Sequence, residues 1–112
     1  MTHIRVAAVS DVAPGRIVPI EAGGRKLLLA NVEGDFYAAD RKCPHLGYNL
    51  CRGGKLDGRA IVCPLHKAKF DLATGKVERD PKLLFLKMTA KTDLRIYPVR
   101  VEGDDVLVGI SE

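Results

Sequence analysis

A chain of 112 residues gives one domain, and an apolar share of 46% is enough to build a core in it. With no tryptophan, only 5% aromatic residues and a net charge of +4 scattered from Arg16, Arg25, Lys26, Arg41 and Lys42 to Arg52, Lys55, Lys67 and Lys69, the sequence excludes a nucleic-acid stacking platform. Three cysteines cannot all pair within the chain, Met1 to Val9 lacks a signal-peptide core, and no apolar run approaches the ~20 residues of a membrane span, so the expectation is a cytoplasmic protein.

In chain order, residues 3–9 alternate Ile4, Val6 and Ala8 with His3, Arg5 and Ala7, the period of a strand. Asp11 to Gly15 reads as a turn, and Arg16 to Ile20 as a second strand closed by Gly23-Gly24. Arg25 to Val32 is a more buried strand, and Glu33-Gly34-Asp35 reverses it into Phe36-Tyr37-Ala38-Ala39 as a hairpin. From Arg41 to Glu78 the texture changes to Gly, Pro, Cys and His with two short apolar runs, Ala60-Ile61-Val62 and Phe70-Asp71-Leu72. Such a segment buries little area for its length and needs a staple, for which a metal centre is the candidate. Strand texture returns in Leu94 to Arg100, Glu102-Gly103-Asp104-Asp105 turns, and Val106, Val108 and Ile110 mark the last strand. The expected architecture is all-β, with a base of residues 1–40 and 79–112 interrupted by a metal-stapled insert of residues 41–78. One anomaly stands beside it, the apolar run Leu83-Leu84-Phe85-Leu86-Lys87-Met88, readable as core or an added strand, or as an exposed partner face.

The chemistry is concentrated in two clips, Cys43-Pro44-His45 and Cys63-Pro64-Leu65-His66. Two soft thiolates and two borderline imidazoles admit zinc or an iron–sulfur centre. Zinc fingers usually hold two Cys in one clip and two His in the other, whereas each clip here holds one of each. If the two thiolates take one metal and the two imidazoles another, the result is a dinuclear site with unlike ends.

Cys43-Pro44-His45-Leu46-Gly47, then Cys63-Pro64-Leu65-His66 with Phe70-Asp71-Leu72-Ala73-Thr74-Gly75, resembles the Rieske [2Fe–2S] family. The likeness is greatest to the small soluble Rieske-type ferredoxins that serve bacterial ring-hydroxylating oxygenases. It extends to Asp35-Phe36-Tyr37-Ala38 and to Tyr97-Pro98-Val99-Arg100-Val101 with the Gly103-Asp104 turn. The resemblance implies an antiparallel β-sandwich or barrel base with an inserted cluster-binding subdomain. It implies one [2Fe–2S] cluster per chain, with Cys43 and Cys63 on the buried iron and His45 and His66 on the outer one, their ring edges facing solvent. Pro44 and Pro64 stiffen the ligand loops, and Gly47 and Gly75 fit turn positions.

The departures from the wider family carry information. Respiratory-type relatives bridge an extra cysteine from each loop, where this chain has Tyr48 and Leu65. They also hydrogen-bond the cluster from a Ser and a Tyr, where this chain has Ala68 and Phe70. Fewer hydrogen bonds to sulfur stabilise the reduced state less, so the expected potential lies at the low end of the Rieske range, about −150 to 0 mV. Lys67 replaces the Gly usual after the last histidine, and with Lys69 it reads either as facing an acidic docking surface on a protein partner or as plain solvated charge. Cys51 reads as a free structural thiol, His3 as a surface residue, and Asp40, Asp57 and Asp71 as braces of turns and strand ends.

The function this implies is a one-electron carrier between a reductase and an oxygenase or another oxidoreductase, not an enzyme, with no catalytic residue. The competing readings are a redox subunit held in a larger oxidoreductase, as in nitrite-reductase small-subunit relatives, and a zinc-stapled binding module. No nucleic-acid or membrane partner is expected, and the sequence sets no oligomeric state.

Overall fold

The computed structural model describes residues 2–42, 49–63, 69–79, 82–83, 86–87 and 94–110, with only the backbone of 77–79, 82–83 and 86–87. Among the described residues, thirteen strands make up nearly all of the regular structure. The first three are β1 (Thr2–Ala8), β2 (Ile17–Ala22) and β3 (Arg25–Val32), followed by β4 (Asp35–Asp40). The cysteine-rich segment holds β5 (Lys55–Asp57), β6 (Ala60–Val62), β7 (Lys69–Asp71) and β8 (Val77–Arg79). After it come β9 (Lys82–Leu83), β10 (Leu86–Lys87), β11 (Ile96–Tyr97), β12 (Val99–Glu102) and β13 (Asp105–Ile110).

All the pairings are antiparallel, and the strands form three main sheets, ordered β1-β13-β12, β11-β4-β3-β2 and β5-β6-β7-β8. The second sheet is the middle layer. Leu27 and Leu29 of β3, Ala38 of β4 and Tyr97 of β11 share one buried cluster with Val106 and Val108 of the first sheet. The alternate residues Leu28, Ala30 and Ala39 share the other with Ile61, Phe70 and Leu72 of the third-sheet region. This is why Leu27-Leu28-Leu29-Ala30 runs apolar without alternating: successive side chains point to opposite faces, and both faces are covered. Burying a leucine fully contributes about 1.5–3 kcal/mol, so β3 is the spine of the molecule.

The β3–β4 hairpin turns at Glu33-Gly34, with φ of 52° and 98°. Positive φ at both central residues is the backbone twist that matches paired strands, and the glycine supplies one of the two at no steric cost. Buried Asn31 fastens this end, donating from Nδ2 to the Val12 carbonyl at 2.8 Å and accepting the Gly34 amide on Oδ1 at 2.7 Å.

Two expectations change in detail, and the open reading of the apolar run narrows. The Asp11–Gly15 turn begins as one 3-10 turn, Val9–Asp11, with Asp11 Oδ2 accepting the Ala8 amide at 2.9 Å. The expected strand from Leu94 to Arg100 is two strands, broken at Pro98. β11 pairs with β4 in the middle sheet while β12 pairs with β13 in the first, because proline cannot donate to a ladder and lets the chain change sheets there. The apolar run at 83–88 contributes strand: β9 and β10 form a two-stranded ribbon with Leu83 opposite Leu86. Leu84, Phe85 and Met88 lie outside the described residues.

Candidate metal centre

Both clips are rooted in paired backbone. The first follows β4, where the Asp40 amide donates to the Arg95 carbonyl at 3.0 Å and Asp40 Oδ1 accepts the Tyr97 hydroxyl at 2.7 Å. Burial first, and then the Asp40 carboxylate, push the Tyr97 hydroxyl above its ordinary pKa, so it stays protonated and donating. The Arg95 guanidinium carbon lies 5.6 Å from the centre of the Tyr97 ring, two residues along the same stretch. Next along the chain, Lys42 and Asn49 pair as an isolated antiparallel bridge, so the ends of the 43–48 segment are fastened together. Asn49 Oδ1 accepts the Cys51 amide at 2.9 Å, and Leu50 is fully buried.

The second clip has the same design. β6 leads directly into Cys63, and Val62 pairs with Lys69 of β7, closing the ends of the 63–68 segment. Cys63 is fully buried, in one apolar cluster with Leu50 from the foot of the first clip and Phe70 from β7. Cys63 and the described neighbours of the two clips therefore share one floor. Of the four candidate ligands the structure places Cys63. Cys43, His45 and His66 lie outside the described residues, as do Gly47, Tyr48, Leu65, Lys67 and Ala68.

Cys63 is fully buried just past the end of β6, and a cysteine sulfur is a soft-metal donor. The rest of the donor set, one further thiolate and two neutral imidazoles, fits iron–sulfur chemistry with unlike ends. Phe70 is fully buried on the same floor and carries no hydroxyl to give to a sulfur.

The remaining polar residues brace the turn structure. Asp71 takes Arg59 in a two-pronged pair, Nε at 3.2 Å and Nη2 at 3.0 Å, and also accepts the Ala73 amide at 2.7 Å. These contacts, led by Arg59, hold its carboxyl below the usual pKa. Asp57 pairs with Lys69 at 3.0 Å, so that cation is occupied within the chain. Asp40, Asp57 and Asp71 are thus the braces the sequence suggested, and His3 is half-buried on β1. Cys51 is half-buried, and burial pushes its thiol up in pKa against the opposing charge of Arg41. Gly75 has a φ of 80°, and a Cβ there would stand 2.0 Å from the Leu94 carbonyl oxygen, which fixes the residue as glycine. Across this contact the Leu94 amide donates to the Gly75 carbonyl at 2.8 Å, tying the 69–79 strands to β11.

A family model for the Rieske [2Fe-2S] domain matches residues 2–98. The chain belongs to the Rieske [2Fe–2S] family. It is 37% identical over 111 residues to the biphenyl dioxygenase ferredoxin subunit of Pseudomonas sp. (strain KKS102), covering 99% of this chain and 94% of that one. Among solved structures, the ferredoxin of carbazole 1,9a-dioxygenase from Nocardioides aromaticivorans IC177 superimposes with a TM-score of 0.78 at 27% identity, covering 99% of this chain and all of the other. A chain from a complex of reduced oxygenase and oxidised ferredoxin in carbazole 1,9a-dioxygenase gives a TM-score of 0.79 at 32% identity, over 95% of this chain and 91% of that one. As a Rieske protein with end-to-end likeness to ferredoxin components, the chain carries one [2Fe–2S] cluster and transfers electrons without being a catalyst itself. No helix among the described residues is long and apolar enough to cross a membrane.

Proposed function

We propose that this Rieske protein holds its cluster through Cys43, His45, Cys63 and His66 and passes single electrons from a reductase to a ring-hydroxylating oxygenase in the cytoplasm. In this reading Cys43 and Cys63 bind the inner iron, His45 and His66 the outer one, and residues 41–78 form the cluster-binding subdomain on a base of residues 1–40 and 79–112. The observation that carries it is the placement of Cys63, fully buried where β6 runs out, on a floor shared with Leu50 at the foot of the other clip. The cluster, when bound, accepts and releases one electron.

The chain's residues do the rest. The bridge between Lys42 and Asn49 and the pair between Val62 and Lys69 join the backbone that flanks each clip. Leu50, Ile61 and Phe70 exclude water from beneath the thiolate side. The relatives' names supply the acceptor: one is a biphenyl dioxygenase ferredoxin subunit, and one solved complex pairs a ferredoxin with its oxygenase.

Pulsed electron paramagnetic resonance of the dithionite-reduced protein tests the ligand set. Coupling to two directly bound nitrogens is expected, reduced to one in His45→Cys and in His66→Cys. A signal without nitrogen coupling, or a colourless protein carrying zinc, contradicts the assignment.

A further inference from the structure

Arg41 follows the last residue of β4 and stands two positions ahead of Cys43. Its guanidinium turns back across the middle sheet: Nε donates to the Leu27 carbonyl of β3 at 3.0 Å, and one terminal nitrogen to the Ile20 carbonyl of β2 at 2.7 Å. Its main chain is engaged as well. The Arg41 amide donates to the Lys26 carbonyl at 3.3 Å, and its carbonyl accepts the Leu50 amide at 2.7 Å. One residue therefore joins the entry of the first clip, its exit at Leu50, and two strands of the spine.

The side chain suits the task. A guanidinium offers donors in a rigid planar fork that reaches carbonyls on adjacent strands at once, which a lysine ammonium does not reproduce. Its acceptors here are neutral carbonyls, and none of the ion pairs found among the described residues involves it. Arginine keeps its charge in proteins, so a half-buried positive charge, unneutralised by any carboxylate found among the described residues, is fixed at the root of a ligand loop. Away from bulk water such a charge acts over a longer range than on the surface.

We propose that Arg41 is a positioning residue of the cluster site, anchoring both ends of the first ligand loop to the middle sheet while its charge favours the reduced state. The proposal rests on the ligand assignment above. Reduction by the partner reductase adds one electron, and so one negative charge, to the iron centre. A fixed positive charge beside the loop stabilises that state relative to the oxidised one, and removing it shifts the midpoint potential to more negative values.

Arg41→Lys keeps the charge without the fork, and Arg41→Met keeps the stem without the charge. The iron-loaded wild type and both variants are compared by redox titration and by amide hydrogen exchange of the segment containing Leu50. Exchange at Leu50 is expected to quicken on the order of tenfold in both variants. The midpoint is expected to fall in Arg41→Met alone. Unchanged exchange in both variants overturns the anchoring role, and an unchanged midpoint in Arg41→Met overturns the electrostatic one. A variant that keeps its β circular dichroism but loses iron supports the anchor. Loss of the β signal in both variants overturns the proposal, since Arg41 would then serve the whole fold. The exchange readout does not depend on which residues hold the metal, so a wild type without nitrogen coupling sinks the ligand assignment and leaves the anchor to be judged on its own.

Discussion

At the residue scale, the described part of the site is governed by which polar atoms are supplied and which are withheld. Phe70 and Cys63 share a buried floor, and Phe70 has no hydroxyl to donate toward sulfur. A cluster with fewer hydrogen bonds to its sulfurs is harder to reduce, and this sets the expectation of a low potential. Polar supply is spent instead on the Asp71 turn, where Arg59 and the Ala73 amide hold the carboxylate in its charged form. A depressed pKa means that the unfolded state takes up protons first as pH falls. The stabilisation is therefore full above the unfolded aspartate pKa of about 3.9 and is lost as pH drops through the lower folded value. Asp71→Asn should melt below wild type at pH 7 by about 1 kcal/mol of stability, with the gap closing as the pH is taken under about 4. Melting curves of the two proteins across that range check this, and a gap that widens on acidification would contradict it. The residue scale is also where the sequence was least informative. Arg41 looks like one more dispersed surface cation, and its only hint is its place just ahead of the clip. The partners that define it, Ile20, Leu27 and Leu50, are brought to it by strand register, which sequence spacing does not encode.

At the element scale, legibility followed pattern strength. The unbroken Leu27–Ala30 run and the Glu33-Gly34 turn marked β3, β4 and their hairpin, because two-sided burial and positive φ each demand a narrow choice of residues. Lys55-Leu56-Asp57 and Val77-Glu78-Arg79 did not announce β5 and β8, since three residues, two of them charged in each, give too short an alternation. Pro98 could be seen in the sequence, but the change of sheet it allows could not. Residues 94–100 keep an alternating pattern through the break, since Leu94 and Ile96 face the Leu28 cluster while Tyr97 and Val99, on either side of Pro98, both face the Leu27 cluster. Between elements, Gly75 joins the cysteine-rich strands to the residues leading into β11. A methyl group there meets the Leu94 carbonyl oxygen at 2.0 Å and Ile96 Cγ1 at 3.0 Å, on a backbone with φ of 80°. Gly75→Ala should cost at least ~2 kcal/mol. Denaturant titration checks it, and a loss under about 0.5 kcal/mol, the level of an ordinary surface substitution, would show that the joint yields freely.

At the scale of the whole molecule, three antiparallel sheets divide the labour. The first and second pack around Leu27, Leu29, Val106 and Val108 and give a core that needs no metal to account for it. The second and third pack around Leu28, Ile61, Phe70 and Leu72, and Leu50 and Cys63 belong to that second core. The identity of the cofactor was legible because one Cys and one His in each clip match the ligand pattern of a two-iron cluster with unlike ends, whereas the pairing of the backbone around the first clip became visible only through Arg41, Leu50 and the Lys42–Asn49 bridge. The account predicts a carrier that takes up one electron at a low potential. A redox titration followed by visible absorbance tests this most directly. It should give a single one-electron transition with a midpoint between about −150 and 0 mV. A midpoint above about +200 mV, in the upper part of the Rieske range, or a protein with no redox transition at all, would contradict it.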